Sequence, residues 1–253
     1  MKSLQILQIA DDYNRRGRAT LTPPADFPLP RVSDGNEKME KTSKVLRKLL
    51  GRRAKVVAFN LPASIDFRIG DAEFNTCPQA GACKSVCYAR AGRFAMPDSI
   101  AMRLDNLWAT LRPDFVNRLA ESIVASKATH VRIHDSGDFY AQSYVDAWIE
   151  IARALPDVVF YAYTKSLDLN YEAAPGNLRI VQSEGGKLDA MIDHTRPHSR
   201  IVADDVPSGY VNGNAELADV PAIDGTVRIA LPYHGQRKLT ESQRRYFGGD
   251  RAT

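Results

Sequence analysis

The chain has 253 residues, 44% hydrophobic and 25% charged, which suits one large globular domain with or without a smaller extension and excludes a disordered or fibrous protein. Its formal charge is only +4, and no run approaches the roughly 18–20 consecutive apolar residues of a membrane span. Three cysteines crowded between Cys77 and Cys87 are not the even, dispersed set of a secreted disulfide framework.

The start, MKSLQILQIADDYNRRG, lacks the apolar block and small-residue cleavage site of a secretory signal, so a cytoplasmic location is expected, where thiols stay free to bind metal. Residues 1–54 read as an N-terminal extension. A short helical pattern opens it, followed by LTPPADFPLPRVSDGNE, whose prolines and turn residues exclude a long helix or a central strand. A second short helix is expected over Lys44–Leu50, with Gly51 as its stop. Basic residues gather here, from Lys38 and Lys41 to Arg52, Arg53 and Lys55. Such a run can meet phosphates through counterion release; its plainer reading is a solvated helix face.

From residue 55 to the end, short β-branched and aromatic runs alternate with stretches of helical period, the pattern of an α/β fold. Strands are expected at Lys55–Asn60, His130–His134, Val158–Tyr163, Leu178–Gln182, Arg200–Ala203 and Val227–Leu231. Val145, Trp148, Ile149, Ala152 and Leu155 recur three and four residues apart, one stripe of a helix that Ser143 would cap and Pro156 would end. Strand, helix and strand make a βαβ unit, and repeated units imply a parallel sheet covered by helices, open or curled into a barrel. Residues 204–224, rich in Gly, Asn, Asp and Pro, read as a long loop near the site.

The segment Cys77-Pro78-Gln79-Ala80-Gly81-Ala82-Cys83-Lys84-Ser85-Val86-Cys87 has the spacing C-x5-C-x3-C. Buried core cysteines need not share a loop punctuated by Pro78 and Gly81, whereas metal ligands must be held together, and thiolates are soft ligands suited to zinc or iron–sulfur. With no fourth cysteine, one metal position is left for a distant histidine or an exogenous ligand.

Following the apolar strand at Lys55–Asn60, CPQAGACKSVCYA resembles the cluster loop of the radical S-adenosylmethionine enzymes, although the usual family spacing is C-x3-C-x2-C and here the aromatic, Tyr88, follows the last cysteine. That resemblance implies a partial (β/α)6 TIM-like barrel spanning residues 55–253, a [4Fe–4S] cluster on Cys77, Cys83 and Cys87, and S-adenosylmethionine on its open iron. VRIHDSGDF, a strand running into a Ser-Gly-acid turn, resembles the second-strand segment that holds the amino group of S-adenosylmethionine in that family, which assigns cofactor binding to Ser136, Gly137 and Asp138. FNLPA, CPQAGACKSVCYARAGRF and RIHDSGDF together also resemble a phage-encoded group called gene product eighty-eight; this implies a phage or prophage origin, hence a host cytoplasm, and no particular reaction.

In parallel α/β domains ligands bind beyond the carboxyl ends of the strands. There the sequence puts His134, Asp135, Lys165 and His234, the catalytic candidates, and Glu184-Gly185-Gly186, whose amides would take an anionic group of the cofactor. Either histidine would serve as a fourth ligand or as a general acid/base near neutral pH. No P-loop, dinucleotide fingerprint or Gly-x-Ser-x-Gly elbow is present, so nucleotide hydrolysis and serine esterase chemistry lack support. The expected function is reductive cleavage of S-adenosylmethionine and hydrogen abstraction from a small-molecule or nucleic-acid substrate, fed by an electron donor and away from membranes. A second reading, from another class, is a zinc-bearing nucleic-acid-binding protein with a Cys3His site. A third is a non-radical enzyme whose cluster acts as a Lewis acid.

Overall fold

The structure, a computed structural model, describes residues 20–34, 37–233 and 238–248. In chain order it forms β1 (Thr20–Leu21), α1 (Glu37–Leu50), β2 (Val56–Phe59), β3 (Asp66–Ile69), β4 (Ala72–Asn75), short 3-10 turns between Ala82 and Ala95, α2 (Pro97–Ala109) and α3 (Phe115–Ser126). Then follow β5 (His130–Ile133), α4 (Gln142–Ala154), β6 (Val159–Thr164), β7 (Leu178–Ser183), β8 (His198–Val202), β9 (Val211–Asn212), α5 (Val220–Asp224), β10 (Arg228–Pro232) and α6 (Glu241–Gly248).

Alternation along the strands decides the layers. Successive side chains of a strand point to opposite faces. Val57, Phe59, Val131, Ile133, Phe160 and Ala162 therefore enter one core, where Leu119 and Ile123 of α3 and Trp148, Ile149 and Ala152 of α4 meet them. Their neighbours Val56, Ala58, Tyr161, Val181 and Ile229 enter a second core on the other face, filled by Met39 and Leu46 of α1 and by Val220 and Ala222 of α5. Burial of each large side chain stabilises by about 1.5–3 kcal/mol, so both faces of the sheet are committed. The open edge of β2 is covered by Ser33, whose N–H and C=O both pair with Ala58 at 2.9 and 2.8 Å.

The main sheet has seven strands in the order β2-β5-β6-β7-β8-β10-β9, and each neighbouring pair is parallel. A small sheet, β1-β3-β4, carries the chain from β2 toward the cysteines. All six expected strands are present with ends shifted by one or two residues. The molecule is thus α/β, with a seven-stranded parallel half-barrel sheet.

The expected partial (β/α)6 barrel of the radical S-adenosylmethionine type is overturned. The sheet has seven strands, not six, and no α-helix follows β6 or β7: residues 165–177 are turns, and residues 184–197 hold only the 3-10 turn Asp189–Met191. Nor, among the described residues, is there a group of three or more His, Cys, Asp and Glu that could hold a metal ion, so the cysteine cluster typical of that barrel is absent. The seventh strand comes from the segment expected to be loop: β9 lies inside residues 204–224 and pairs Val211 and Asn212 with Ile229 and Ala230, while α5 closes the same segment. Two residues suffice for a strand at the rim of an existing sheet, because the neighbour supplies the template; no periodicity can announce it.

Two helix limits also differ. Helix α1 starts at Glu37 rather than Lys44, with Glu37 and Glu40 in its first turn and Arg47 and Lys48 in its last, charges that complement the helix dipole. Helix α4 follows Ala141 without a side-chain cap, so Ser143 lies inside its first turn. The helical pattern anticipated at the very start falls outside the described residues. No described helix is long and apolar enough to cross a membrane.

Candidate functional site

The cysteine loop is held at both ends. Where β4 finishes, the Asn75 Oδ1 accepts the Cys77 N–H at 2.7 Å. Thr76, fully buried, donates its hydroxyl to Pro62 O at 2.6 Å and accepts the Ile65 N–H at 2.9 Å, while its carbonyl accepts the Asp138 N–H at 2.7 Å. Further along, the loop docks on the turn after β7. Cys83 N–H donates to Gly185 O at 3.1 Å, Lys187 N–H to Gln79 O at 2.9 Å and the Lys187 ammonium to Pro78 O at 2.7 Å. The backbones approach so closely that a Cβ on Gly81 would lie 2.7 Å from the Gly186 carbonyl carbon, and one on Gly186 would lie 3.0 Å from Gln79 O. Glycine is required at Gly81 for that contact, and a side chain at Gly186 would crowd Gln79, so the pair serves close approach rather than chain flexibility.

Cys77, Cys83 and Cys87 line one cavity of about 290 Å³ at the carboxyl ends of the parallel strands. Burial pushes the Cys77 thiol well up, with Asp138 and the other two thiols adding to the effect; burial likewise raises Cys87, and Cys83 adds to it. Cys77 and Cys87 are therefore neutral thiols, whose protons a metal would have to displace. Three soft donors facing one cavity suit a thiolate-bound cluster. Among the described residues, however, no three of His, Cys, Asp and Glu are grouped closely enough to hold a metal, so neither a single ion nor a cluster finds its ligands already converged.

The carried-over turn residues are spent inside the fold. The Asp138 carboxylate accepts the Thr164 hydroxyl at 2.6 Å, the Phe139 N–H at 2.8 Å and the Lys165 N–H at 2.9 Å. It ties the end of β6 to the turn after β5, although burial raises its pKa above the usual carboxylate range. Ser136 donates to Leu61 O at 2.6 Å, and Gly137 turns at φ +89° where a Cβ would strike Leu61 at 2.6 Å. All three border the cavity, but as its wall.

His134 borders the cavity too, yet its ring packs against Phe139 and Tyr144 and its Nε2 pairs with the Tyr144 hydroxyl at 2.8 Å. Burial, then Arg132, lowers it to about 3, so it stays neutral and is no general acid/base near neutral pH. Asp135 lines the cavity; its N–H donates to Asn60 Oδ1 at 2.8 Å, and its carbonyl accepts the Tyr88 hydroxyl. Lys165 reaches the cavity and donates to the Ser183 hydroxyl at 2.7 Å. Glu184 instead faces Arg200, 3.6 Å away, in a separate small pocket. The Gly185 and Gly186 amides are taken by the Asp189 carboxylate at 3.0 and 2.8 Å, so they offer nothing to a cofactor. His234 lies outside the described residues.

Sequence reasoning missed the charged side of the cavity. Arg132 of β5 pairs with the fully buried Asp219 at 2.8 Å, and Lys38 of α1 meets the other carboxylate oxygen at 2.9 Å. Burial pushes the Asp219 carboxyl up, but Arg132 and Lys38 outweigh it and hold it below the ordinary range. Basic Lys38, Lys84, Arg90, Arg132 and Lys165 outnumber acidic Asp135 and Asp138 around the cavity. The available signal was Arg132 itself, a charge inside an otherwise apolar strand, since such a residue survives burial only with a partner.

Residues 30–244 match the family described as Gene product 88. The chain belongs to the Gene product 88 family. Among curated relatives, the Gene 88 protein of Mycobacterium phage D29 is 32% identical over 139 residues, 44% of this chain and 58% of the relative. The Gene 88 protein of Mycobacterium phage L5 is 32% identical over 150 residues, 47% of this chain and 62% of the relative. The chain thus spans about three fifths of the length of these Gene 88 proteins. No solved structure matches. The Gene product 88 span takes in every residue of the cavity wall named above, and the names of these relatives carry no reaction and no link to the radical S-adenosylmethionine enzymes.

Proposed function

We propose that the protein is an iron–sulfur enzyme that holds a [4Fe–4S] cluster on Cys77, Cys83 and Cys87 and acts on S-adenosylmethionine in the host cytoplasm. One observation carries the proposal: three cysteines, on a loop pinned to the turn after β7, line a single cavity at the carboxyl ends of a parallel sheet. Bound there, such a cluster would supply an electron for reductive cleavage and an iron without a protein ligand for the substrate. The chain's own part is to orient and exclude water. Ser136, Gly137 and Asp138 form a rigid wall, Lys165 and Arg132 supply positive charge, and the docked loop keeps the thiols in the cavity.

The second reading is a zinc-bearing nucleic-acid-binding protein with a Cys3His site; the described residues hold no ready-made group of three or more His, Cys, Asp and Glu, so either centre requires the loop to close around its metal on loading. Anaerobic reconstitution with iron and sulfide tests the two readings. About four irons per chain and a broad absorbance near roughly 400 nm are expected, with Cys83→Ala losing most of the iron while retaining the fold. Colourless protein carrying one zinc would overturn the proposal. Iron loading without 5′-deoxyadenosine after addition of dithionite and S-adenosylmethionine would leave a cluster that works as a Lewis acid.

A further inference from the structure

Helix α1 runs from one end of the sheet to the other. Lys38 in its first turn borders the cavity at the carboxyl ends of the strands, and at about 1.5 Å per residue Lys48 lies about 15 Å further along the axis. The chain then turns at Gly51 and meets the amino end of β5, where Lys55 O accepts the Thr129 and His130 N–H at 2.9 and 3.1 Å. Arg52 comes close to His130 there: burial, and then this guanidinium, lower the ring to about 4 and keep it neutral.

That far end carries charge of one sign. Residues 41–55 hold seven basic residues and no acidic or aromatic one. Lys44 pairs with Glu40 at 2.7 Å and Lys55 with Asp34 at 2.8 Å, whereas Lys41, Arg47, Lys48, Arg52 and Arg53 are exposed and form no ion pair among the described residues. Lys127, exposed at the left-handed cap that leads α3 into β5, adds a further cation at the same end of the sheet. A helix face that serves only solvation interleaves both signs; like charges this dense repel one another unless an anionic partner offsets them.

From this juxtaposition we propose that the carboxyl end of α1 and the turn after it form a docking surface for the phosphate backbone of a nucleic-acid duplex. Two other anionic partners fit less well. Met39, Thr42, Ser43 and Leu46 commit the buried side of α1 to the sheet, which leaves Leu49 and Leu50 as its exposed large apolar residues, too little to insert into a lipid surface. Without an aromatic side chain, the segment offers nothing on which the bases of a single strand could stack. Lys and Arg grip phosphates without reading bases, so binding is independent of sequence. The surface lies away from the cavity and its cysteines, so it stands or falls apart from metal loading.

Fluorescence anisotropy of the full chain with labelled duplex DNA of about 20 base pairs, in two unrelated sequences and between about 50 and 200 mM sodium chloride, tests the surface. Both duplexes should bind alike, with the logarithm of the binding constant falling against that of the salt concentration at a slope of about −4. Lys48→Ala, Arg52→Ala and Arg53→Ala combined should weaken binding at least tenfold at the lower salt and flatten the slope by about 3, at an unchanged melting temperature. Arg93→Ala, Arg196→Ala and Lys238→Ala combined remove the same charge from exposed positions elsewhere and should stay within about twofold of the wild type, because charges beyond a Debye length are screened. Equal loss in the two triple variants, or no loss in the first, means that the surface does not exist. Tighter binding of either single strand, or binding of phosphatidylserine vesicles without binding of the duplex, would also overturn the proposal. Iron content measured on the same samples keeps the outcomes separate: duplex binding by iron-free protein upholds the docking surface whatever becomes of the cluster.

Discussion

His134 shows how a residue of catalytic type becomes a structural one. It closes β5 at φ +65°, a conformation that costs a non-glycine residue free energy, and its ring is enclosed by Phe139 and Tyr144. Because burial lowers its pKa to about 3, below the value of about 6.5 in the unfolded chain, the unfolded state takes up a proton first as pH falls. The stabilisation from a neutral His134 is therefore complete above about pH 6.5 and is lost as pH drops toward 3, by about 2 kcal/mol between pH 7 and pH 5. Urea denaturation at those two pH values should give that loss for the wild type and a flatter response for His134→Asn, a variant with no titrating ring and a side chain that tolerates the left-handed backbone. Equal slopes for the two proteins would refute the account. The HDSGD turn was legible in the sequence as a place, since polar residues at a strand's carboxyl end stand out. Its roles were not: whether Asp138 meets a ligand or meets Thr164 and Lys165 depends on where a strand some 26 residues later comes to lie.

At the level of elements, two loops distant in sequence depend on each other. The cysteine loop and the turn after β7 share backbone hydrogen bonds and an antiparallel bridge between Ala80 and Gly186, so the two segments form one unit. Gly81→Ala would force a Cβ into the Gly186 carbonyl and should destabilise by about 1–3 kcal/mol, with at least half of the reconstituted iron lost. Gly176→Ala, where a Cβ meets nothing within 4 Å, should match the wild type in both melting temperature and iron per chain. The six long strands were legible because β-branched and aromatic runs need no context. Helix α5 and strand β9 were not, since five residues and two residues carry too little pattern to outweigh the Gly, Asn and Pro around them. The Gly185-Gly186 pair was noticed as an anion nest and proved to be a docking surface whose amides serve Asp189.

Across the whole molecule, Asp219 joins α1, β5, β6 and the start of α5 through Lys38, Arg132 and the Tyr161 hydroxyl. Asp219→Ala would leave two cations side by side in the interior, and a loss of about 3–5 kcal/mol is expected in chemical denaturation. A loss below about 1 kcal/mol would mean that the cluster does not bind these elements together. What the sequence determined by itself was local: alternating apolar runs dictate strands, a helical stripe dictates α4, and three thiols share one short loop. Only the tertiary structure decided that the extension's helix α1 fills one face of the sheet, that two crossovers lack helices, and that Arg132 and Tyr163 share the cavity with the cysteines. Those facts rest on pairings between residues far apart in the chain, and burial and charge neutralisation act on distance in space, to which order along the chain gives no access.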